Sequence, residues 1–194
     1  MDWRELKCKE LFNNLELDKE TIILCGFNKT RNEINKSVRK RLGYTSEYPY
    51  PGERVICLKN NHNQRLMNGQ LGYLSWVFPK NDSLYNVTIE MDDRDEPYST
   101  FASRETFGKE QYADIWKISE TKDHRSHAGW KDVDYFDYGY SISVHKSQGS
   151  EWDRVILFEQ RAKSWSDEYW RRWLYTAVTR AKERLFIISN YYDY

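Results

Sequence analysis

Gly139-Tyr-Ser-Ile-Ser-Val-His145-Lys146-Ser147-Gln148-Gly149-Ser150-Glu151-Trp152-Asp153 is the stretch on which the reading of this chain turns. Tyr140-Ser-Ile-Ser-Val144 has the composition of a strand, and Arg154-Val-Ile-Leu-Phe158 that of a second. Between them lies a turn that carries a cation, two hydroxyls, an amide, a glycine and a carboxylate. Ligands of open parallel sheets sit at the carboxyl ends of strands, so a turn of this kind is placed to bind. Lys146 and exposed backbone N–H groups suit an anion such as phosphate. Glu151 suits the hydroxyls of a sugar. An ordinary polar turn is the plain alternative, and the density of chemistry stands against it.

Outward from this stretch the same architecture recurs. Thr21-Ile-Ile-Leu-Cys25 is a short continuous apolar run, as expected of a strand buried on both faces. Residues 29–42 follow as a helix with Ile34, Val38 and Leu42 on one face, and Gly43 is placed to stop it. Residues 166–182 read as a helix with Tyr169, Trp173, Ala177 and Ala181 four residues apart, and Leu185-Phe-Ile-Ile188 as a final buried strand. Strands alternating with helices predict an α/β fold, a parallel sheet flanked by helices.

The pattern changes at Pro49-Tyr-Pro51-Gly52. Arg54–Leu58, Gly72–Phe78, Tyr85–Met91 and Pro97–Phe101 read as short strands, with turn clusters at 60–63 and 79–82 and a tight-turn signal at Asn68-Gly69. This predicts a small β-barrel over 51–101, inserted into an α/β domain made of 1–50 and 102–194. Residues 2–17 read as an amphipathic helix, 109–118 as a helix, and 120–130 as a charged loop.

Composition narrows the function classes. Thirty basic and thirty acidic residues cancel, which argues against an unaided non-specific nucleic-acid binder and leaves a local basic strip open. Aromatics make up 16% of the chain. Core packing is the plain reading of them, base stacking on single strands the functional one. Cys8, Cys25 and Cys57 form no CxxC pair, so neither a zinc ribbon nor a disulfide framework is expected, and a reducing, cytoplasmic setting fits. The N-terminus is charged from residue 2 and has no apolar core of a signal peptide. No run of about 18 apolar residues predicts a membrane span. His124-x-x-His127 lacks further ligands, so no metal site is expected. No paired-strand carboxylate and lysine constellation of a nuclease stands out.

The 139–153 segment resembles motif V of superfamily 1 helicases, especially the RecD/Dda-like branch, whose pattern reads close to YAxTxHKSQGxE. Trp173-Leu-Tyr-Thr-Ala-Val-Thr179-Arg180-Ala-Lys-Glu-Arg184 resembles motif VI, LYTAxTRA. Cys25-Gly-Phe-Asn28-Lys-Thr30-Arg31-Asn-Glu-Ile-Asn35 resembles the motif IV region with its N-x-x-R-x-x-x-N pattern. Pro51-Gly52-Glu-Arg54-Val, Lys59-Asn60 and Asn68-Gly69-Gln-Leu-Gly72 resemble the SH3-like barrel embedded in the second RecA-like domain of that branch. The resemblance covers about residues 20–190 and is to the UvrD-like helicase C-terminal domain.

It implies a nucleotide cleft between two RecA-like domains that holds ATP with magnesium. Arg180 would be an arginine finger on the γ-phosphate, with Arg31 as a second. Glu151 would hold the ribose, with Gln148 and Gly149 shaping the turn beside it. His145, Lys146 and Ser147 would contact the backbone of single-stranded DNA, which positions a strand without reading its sequence. Asn28 and Thr30 would touch DNA or cap the helix. The plain reading of Arg180 is a cation at a helix C-terminus, and that of His145 a satisfied histidine at a strand end. No G-x-x-x-x-G-K-[ST] phosphate loop occurs and no apolar strand ends in Asp-Glu. The resemblance thus implies an N-terminal RecA-like domain as partner, in cis or in trans. With that partner it implies 5′ to 3′ translocation, and without it no ATP turnover. The other reading is a non-catalytic module that binds nucleic acid or protein through the barrel, where Lys59, Asn60 and Asn68 occupy loops.

Overall fold

The computed structural model describes residues 16–109 and 133–189. The expected helices at 2–17 and 109–118 and the loop at 120–130, with His124 and His127, fall almost wholly outside them. The chain divides into two compact units: Met1–Leu42 with Tyr140–Tyr194, and Gly43–Gly139. The second unit thus takes in residues on both sides of the 51–101 stretch.

The first unit is built on a four-stranded, all-parallel sheet in the order β10-β9-β1-β8. Its strands are β1 (Thr21–Cys25), β8 (Ser141–Ser143), β9 (Trp152–Phe158) and β10 (Ala181–Ile188). Every residue of β1 is buried, as a central strand covered on both faces requires. Helix α1 (Asn28–Arg41) packs on β1 and β8, and buries Ile34 and Val38. Helix α2 (Asp167–Val178) packs on β9, β10 and the 3-10 turn Val144–Ser147, and buries Trp173 and Ala177.

Two boundaries differ from the sequence reading. The strand expected over 140–144 is only three residues long, because Val144 already belongs to the 3-10 turn. The helix expected to reach 182 ends at Val178, and Ala181 opens β10. The Thr179 hydroxyl donates to the carbonyls of Tyr175 (2.9 Å) and Thr176 (3.1 Å), so side chains take over the last helical acceptors. Lys182-Glu-Arg184 then joins β10 through a bulge against β9.

The second unit is a six-stranded sheet in the order β6-β5-β4-β3-β2-β7. Its strands are β2 (Arg54–Cys57), β3 (Leu71–Pro79), β4 (Leu84–Met91), β5 (Tyr98–Ser103), β6 (Val133–Asp134) and β7 (Phe136–Tyr138). The two strands at opposite ends of this order, β6 and β7, are separated in the chain by Tyr135 alone. The sheet must therefore curl until its edges meet, which makes it nearly a closed barrel. Val55, Leu74, Val87, Ile89, Ala102 and Phe136 are buried in it. Asn68-Gly69 forms the expected turn, with Gly69 at φ 98°. Strands β6 and β7 lie in the region where the sequence offered no periodic signal.

Candidate functional site

All four strands of the first unit run the same way, so the segments that follow strands gather at one rim and those that precede strands at the other. At the carboxyl rim β1 turns through Gly26 and Phe27 into α1. Phe27 is the N-cap of α1 and offers no side-chain acceptor, so neither Asn28 nor Thr30 is the cap that the sequence suggested. Gln160, two residues beyond β9, supplies what is missing. Its Oε1 accepts from the N–H groups of Gly26 (2.8 Å) and Phe27 (3.2 Å), and its Nε2 donates to Thr30 Oγ1 (2.7 Å). Asn28 is exposed beside this clamp.

After β8 the chain enters the Val144–Ser147 turn. His145 is exposed, and its Nε2 lies 3.0 Å from the Tyr169 hydroxyl in the first turn of α2. That turn is fixed by Ser166, whose hydroxyl accepts from the Tyr169 N–H at 3.1 Å. Trp165 packs against Phe27, Tyr169 and Trp173 at ring-centroid distances of 5.7, 4.9 and 5.6 Å. The ends of three loops are thereby joined in one aromatic cluster. Lys146 is half-buried. Ser147 is buried and donates its hydroxyl to the Val144 carbonyl (2.7 Å), so in this structure it closes the turn.

Gln148, Gly149, Ser150 and Glu151 are exposed and carry the chain back to the amino rim, where β9 begins. Gly149 has φ 87° and open space around it, a left-handed conformation that favours glycine. Arg180 directly precedes β10 at this same rim. Its Nε donates to the Thr176 carbonyl (3.1 Å), one terminal nitrogen to the Ser150 carbonyl (3.0 Å) and the other to Thr179 Oγ1 (3.1 Å). Its own carbonyl accepts from the Trp152 N–H (2.9 Å). A guanidinium has five N–H donors, so three bonds leave donors for an anion. The position is also a helix C-terminus, which a cation stabilises.

Arg31 is elsewhere. It lies in the first turn of α1, is 2% exposed and donates to Asn32 Oδ1 at 3.0 Å. It neighbours Cys25, whose thiol burial pushes up to about 11, with the Ser141 hydrogen bond and the Arg31 charge pulling the other way. Arg31 follows a strand and Arg180 precedes one, so the two arginines sit at opposite ends of strands of which β1 alone is about 16 Å long.

The amino-rim residues suit part of an ATP site. Arg180 and the exposed glycine turn fit phosphate, and Glu151 fits a ribose. Among the described residues no group of three or more His, Cys, Asp or Glu could hold a metal ion. In the second unit Asn60 Oδ1 accepts from the Asn68 N–H (2.7 Å), and Lys59 Nζ lies 5.3 Å from the Tyr135 ring centroid, so these residues brace their loops. Gln160 and Trp165 were missed by motif reading. Gln160 stands just past a buried strand, at the end where an open parallel sheet should be searched.

Comparison with known proteins bears on the same segments. Residues 138–188 match the profile of the UvrD-like helicase C-terminal domain. An ATP-dependent RecD2 DNA helicase of Deinococcus radiodurans is 28% identical over 138 residues, 70% of this chain and 14% of that protein. An uncharacterized protein of Methanocaldococcus jannaschii is 41% identical over 59 residues, 30% of this chain and 5% of that protein. The Pif1 helicase from Bacteroides, solved with ADP-AlF3 and ssDNA, aligns with a TM-score of 0.53 and 16% identity over 97% of this chain and 46% of its own. The Pif1 helicase from Candida albicans aligns with a TM-score of 0.52 and 16% identity over 97% of this chain and 49% of its own. At that identity the likeness to the solved structures is one of fold. The chain spans a small part of the curated relatives and under half of these two solved structures. No described helix is long and apolar enough to cross a membrane. The motifs and the matched profile agree that residues 138–188 resemble the UvrD-like helicase C-terminal domain.

Proposed function

We propose that the chain is the second, RecA-like motor half of an ATP-dependent DNA helicase, with the curled sheet as its SH3-like insert. One observation carries this reading: the Arg180 guanidinium is hydrogen-bonded to the Ser150 carbonyl, inside the segment that also carries His145 and Lys146. A phosphate drawn to Arg180 at one rim pulls on a short covalent lever whose other end lies at the opposite rim. Nucleotide state and grip on DNA are coupled through six residues.

In this scheme Arg180 is the arginine finger, Glu151 holds the ribose, and Gln148 and Gly149 shape the turn. His145, Lys146, Asn28 and Thr30 line the path of single-stranded DNA, with Ser147 holding the turn beneath it. Arg31 is assigned to the first turn of α1 rather than to the nucleotide, because it is buried. ATP bound here supplies a phosphoryl group whose developing charge a guanidinium stabilises. The phosphate loop and magnesium site belong to an N-terminal RecA-like domain, so the chain alone turns over no ATP. The branch resemblance gives 5′ to 3′ movement.

Mixing or fusing the chain with such a domain should give DNA-stimulated ATP hydrolysis. Arg180→Ala should lower turnover roughly a thousandfold or more. Lys146→Ala should weaken single-strand binding and reduce its salt slope by about one. Equal turnover with and without the Arg180 side chain, or hydrolysis by the chain alone, would sink the assignment.

A further inference from the structure

The outer face of the second unit presents aromatic rings that nothing above employs. Trp76 and Phe78 on β3 are 46% and 60% exposed, and their rings stack with centroids 6.1 Å apart and planes 16° from parallel. The ladder sets Trp76 opposite Thr88 and Thr88 opposite Ser99; it sets Phe78 opposite Asn86 and Asn86 opposite Phe101. Directly paired residues of an antiparallel sheet share a face. Two adjacent rows therefore read Trp-Thr-Ser and Phe-Asn-Phe across three strands. Neither row contains a carboxylate; Glu90 stands further along, opposite Tyr73. Lys80 lies beyond the second row, with its Nζ 3.4 Å from the Phe101 ring centroid.

A pocket of about 260 Å³ opens on the same strands, lined by Gln64, Asn86, Tyr98, Ser99, Thr100 and Phe101. It shares Asn86, Ser99 and Phe101 with the two rows. Amides and hydroxyls between aromatic rings match the needs of a nucleobase, which offers a flat π-face for stacking and an edge of donors and acceptors for pairing. The Thr88 and Ser99 hydroxyls pair with each other at 3.0 Å, but an apolar helix of a protein partner would cover the Asn86 amide without offering it a partner, at a cost. The Lys80 cation at the end of two rows that contain no carboxylate suits a phosphate backbone.

We propose that this face is a second binding site for single-stranded nucleic acid: bases stack on Trp76 and Phe78, and one base enters the pocket at Asn86, Ser99 and Phe101. It uses none of the residues assigned to the proposed strand path at His145 and Lys146.

The test uses the full chain and a labelled oligothymidylate of about a dozen nucleotides, within the range of one small β-barrel site. The variant Trp76→Ala/Phe78→Ala should bind at least about tenfold more weakly, since base–ring stacking of this kind is worth about that factor per base. Its salt slope should stay as in the wild type, because no phosphate contact is removed. Both rings are exposed, so the thermal midpoint should not move, and Trp76→Tyr should restore most of the affinity. A 5-iodouracil probe should crosslink to the 71–79 peptide. Unchanged affinity of the double variant, or crosslinks confined to 144–160, would overturn the proposal. So would normal DNA binding joined to lost association with the first motor domain, which would make the face a protein interface. Lys146→Ala in the same series keeps the failure of this site distinguishable from failure of the motor assignment.

Discussion

Replacing Gln160 by alanine gives a sharp test of how the carboxyl rim is held. The side chain makes three hydrogen bonds, to the Gly26 and Phe27 N–H groups and to Thr30 Oγ1. The first two satisfy backbone donors at the start of α1, where Phe27 supplies no side-chain cap. A hydrogen bond of this kind contributes about 0.5–1.5 kcal/mol net. The donors are half-buried, so water replaces the lost acceptor in part, and the sum comes to about 2.5 kcal/mol. For a chain of this length each kcal/mol lowers the midpoint by about 2–4 °C, so Gln160→Ala should melt about 8 °C lower. Gln160→Glu is the control. A carboxylate still accepts from both N–H groups, and the Thr30 hydroxyl can donate to it, so the loss should stay below about 1 kcal/mol. Urea denaturation gives the energies, and amide exchange at Gly26 and Phe27 gives the location. If Gln160→Ala lies within about 0.5 kcal/mol of the wild type, or if the glutamate and alanine variants lose equally, the clamp does not hold the rim.

Two further outcomes follow from other parts of the chain. A Cβ at Gly139 would lie 2.8 Å from the Val55 carbonyl carbon, 2.9 Å from its oxygen and 2.8 Å from a Leu71 methyl. Backbone cannot yield cheaply, so Gly139→Ala should cost about 1–3 kcal/mol in urea denaturation, and a neutral result would mean that β2 shifts freely. Burial raises the Asp18 pKa, but hydrogen bonds from Arg154, Thr21 and the Glu20 N–H outweigh it and leave the carboxyl below its ordinary 3.8. A depressed carboxylate stabilises the fold above its unfolded pKa and loses that contribution as pH falls through the folded one. Asp18 is 39% exposed, so solvent screening keeps the effect below about 1 kcal/mol. Asp18→Asn should lower stability at neutral pH and flatten the decline below pH 3.8, as read from urea midpoints across an acid titration; an unchanged acid limb would show that the pair contributes nothing.

The parallel sheet was legible because β1 is buried throughout and β9 carries the apolar run Val155-Ile-Leu-Phe158, of which Val155–Leu157 are buried. Strand β10 was half-read: Leu185–Ile188 was seen as a strand but expected to be buried, whereas β10 is an edge strand with Leu185 and Ile187 exposed, and Lys182-Glu-Arg184 looks helical by propensity and is a strand only because β9 offers it a partner. Strands β6 and β7 left no trace, since two or three residues carry no period and their pairing with β5 and β2 is set by closure of the sheet. Among site residues, Arg180 and Glu151 were found by motif and lie at one rim. Arg31 carried a weaker motif position, and whether a side chain emerges from its helix is decided by packing, which spacing does not encode. Gln160 belongs to no motif. Its role exists only because a residue far away in sequence lacks a cap.

The two edges of the curled sheet meet around Tyr135, and Val55 pairs with Tyr138. That pairing also acts on the other unit. For Ile23 to reach Ser141, an unfolded insert must be closed as a loop of more than a hundred residues. Once Val55 and Tyr138 are joined, the flexible path shortens to roughly thirty. Closure entropy grows as the logarithm of loop length, so the saving is about 1 kcal/mol. The covalent thread by itself thus lets the folded insert favour the pairing of β1 with β8, and a substitution that unravels the inserted sheet weakens that pairing without touching either strand.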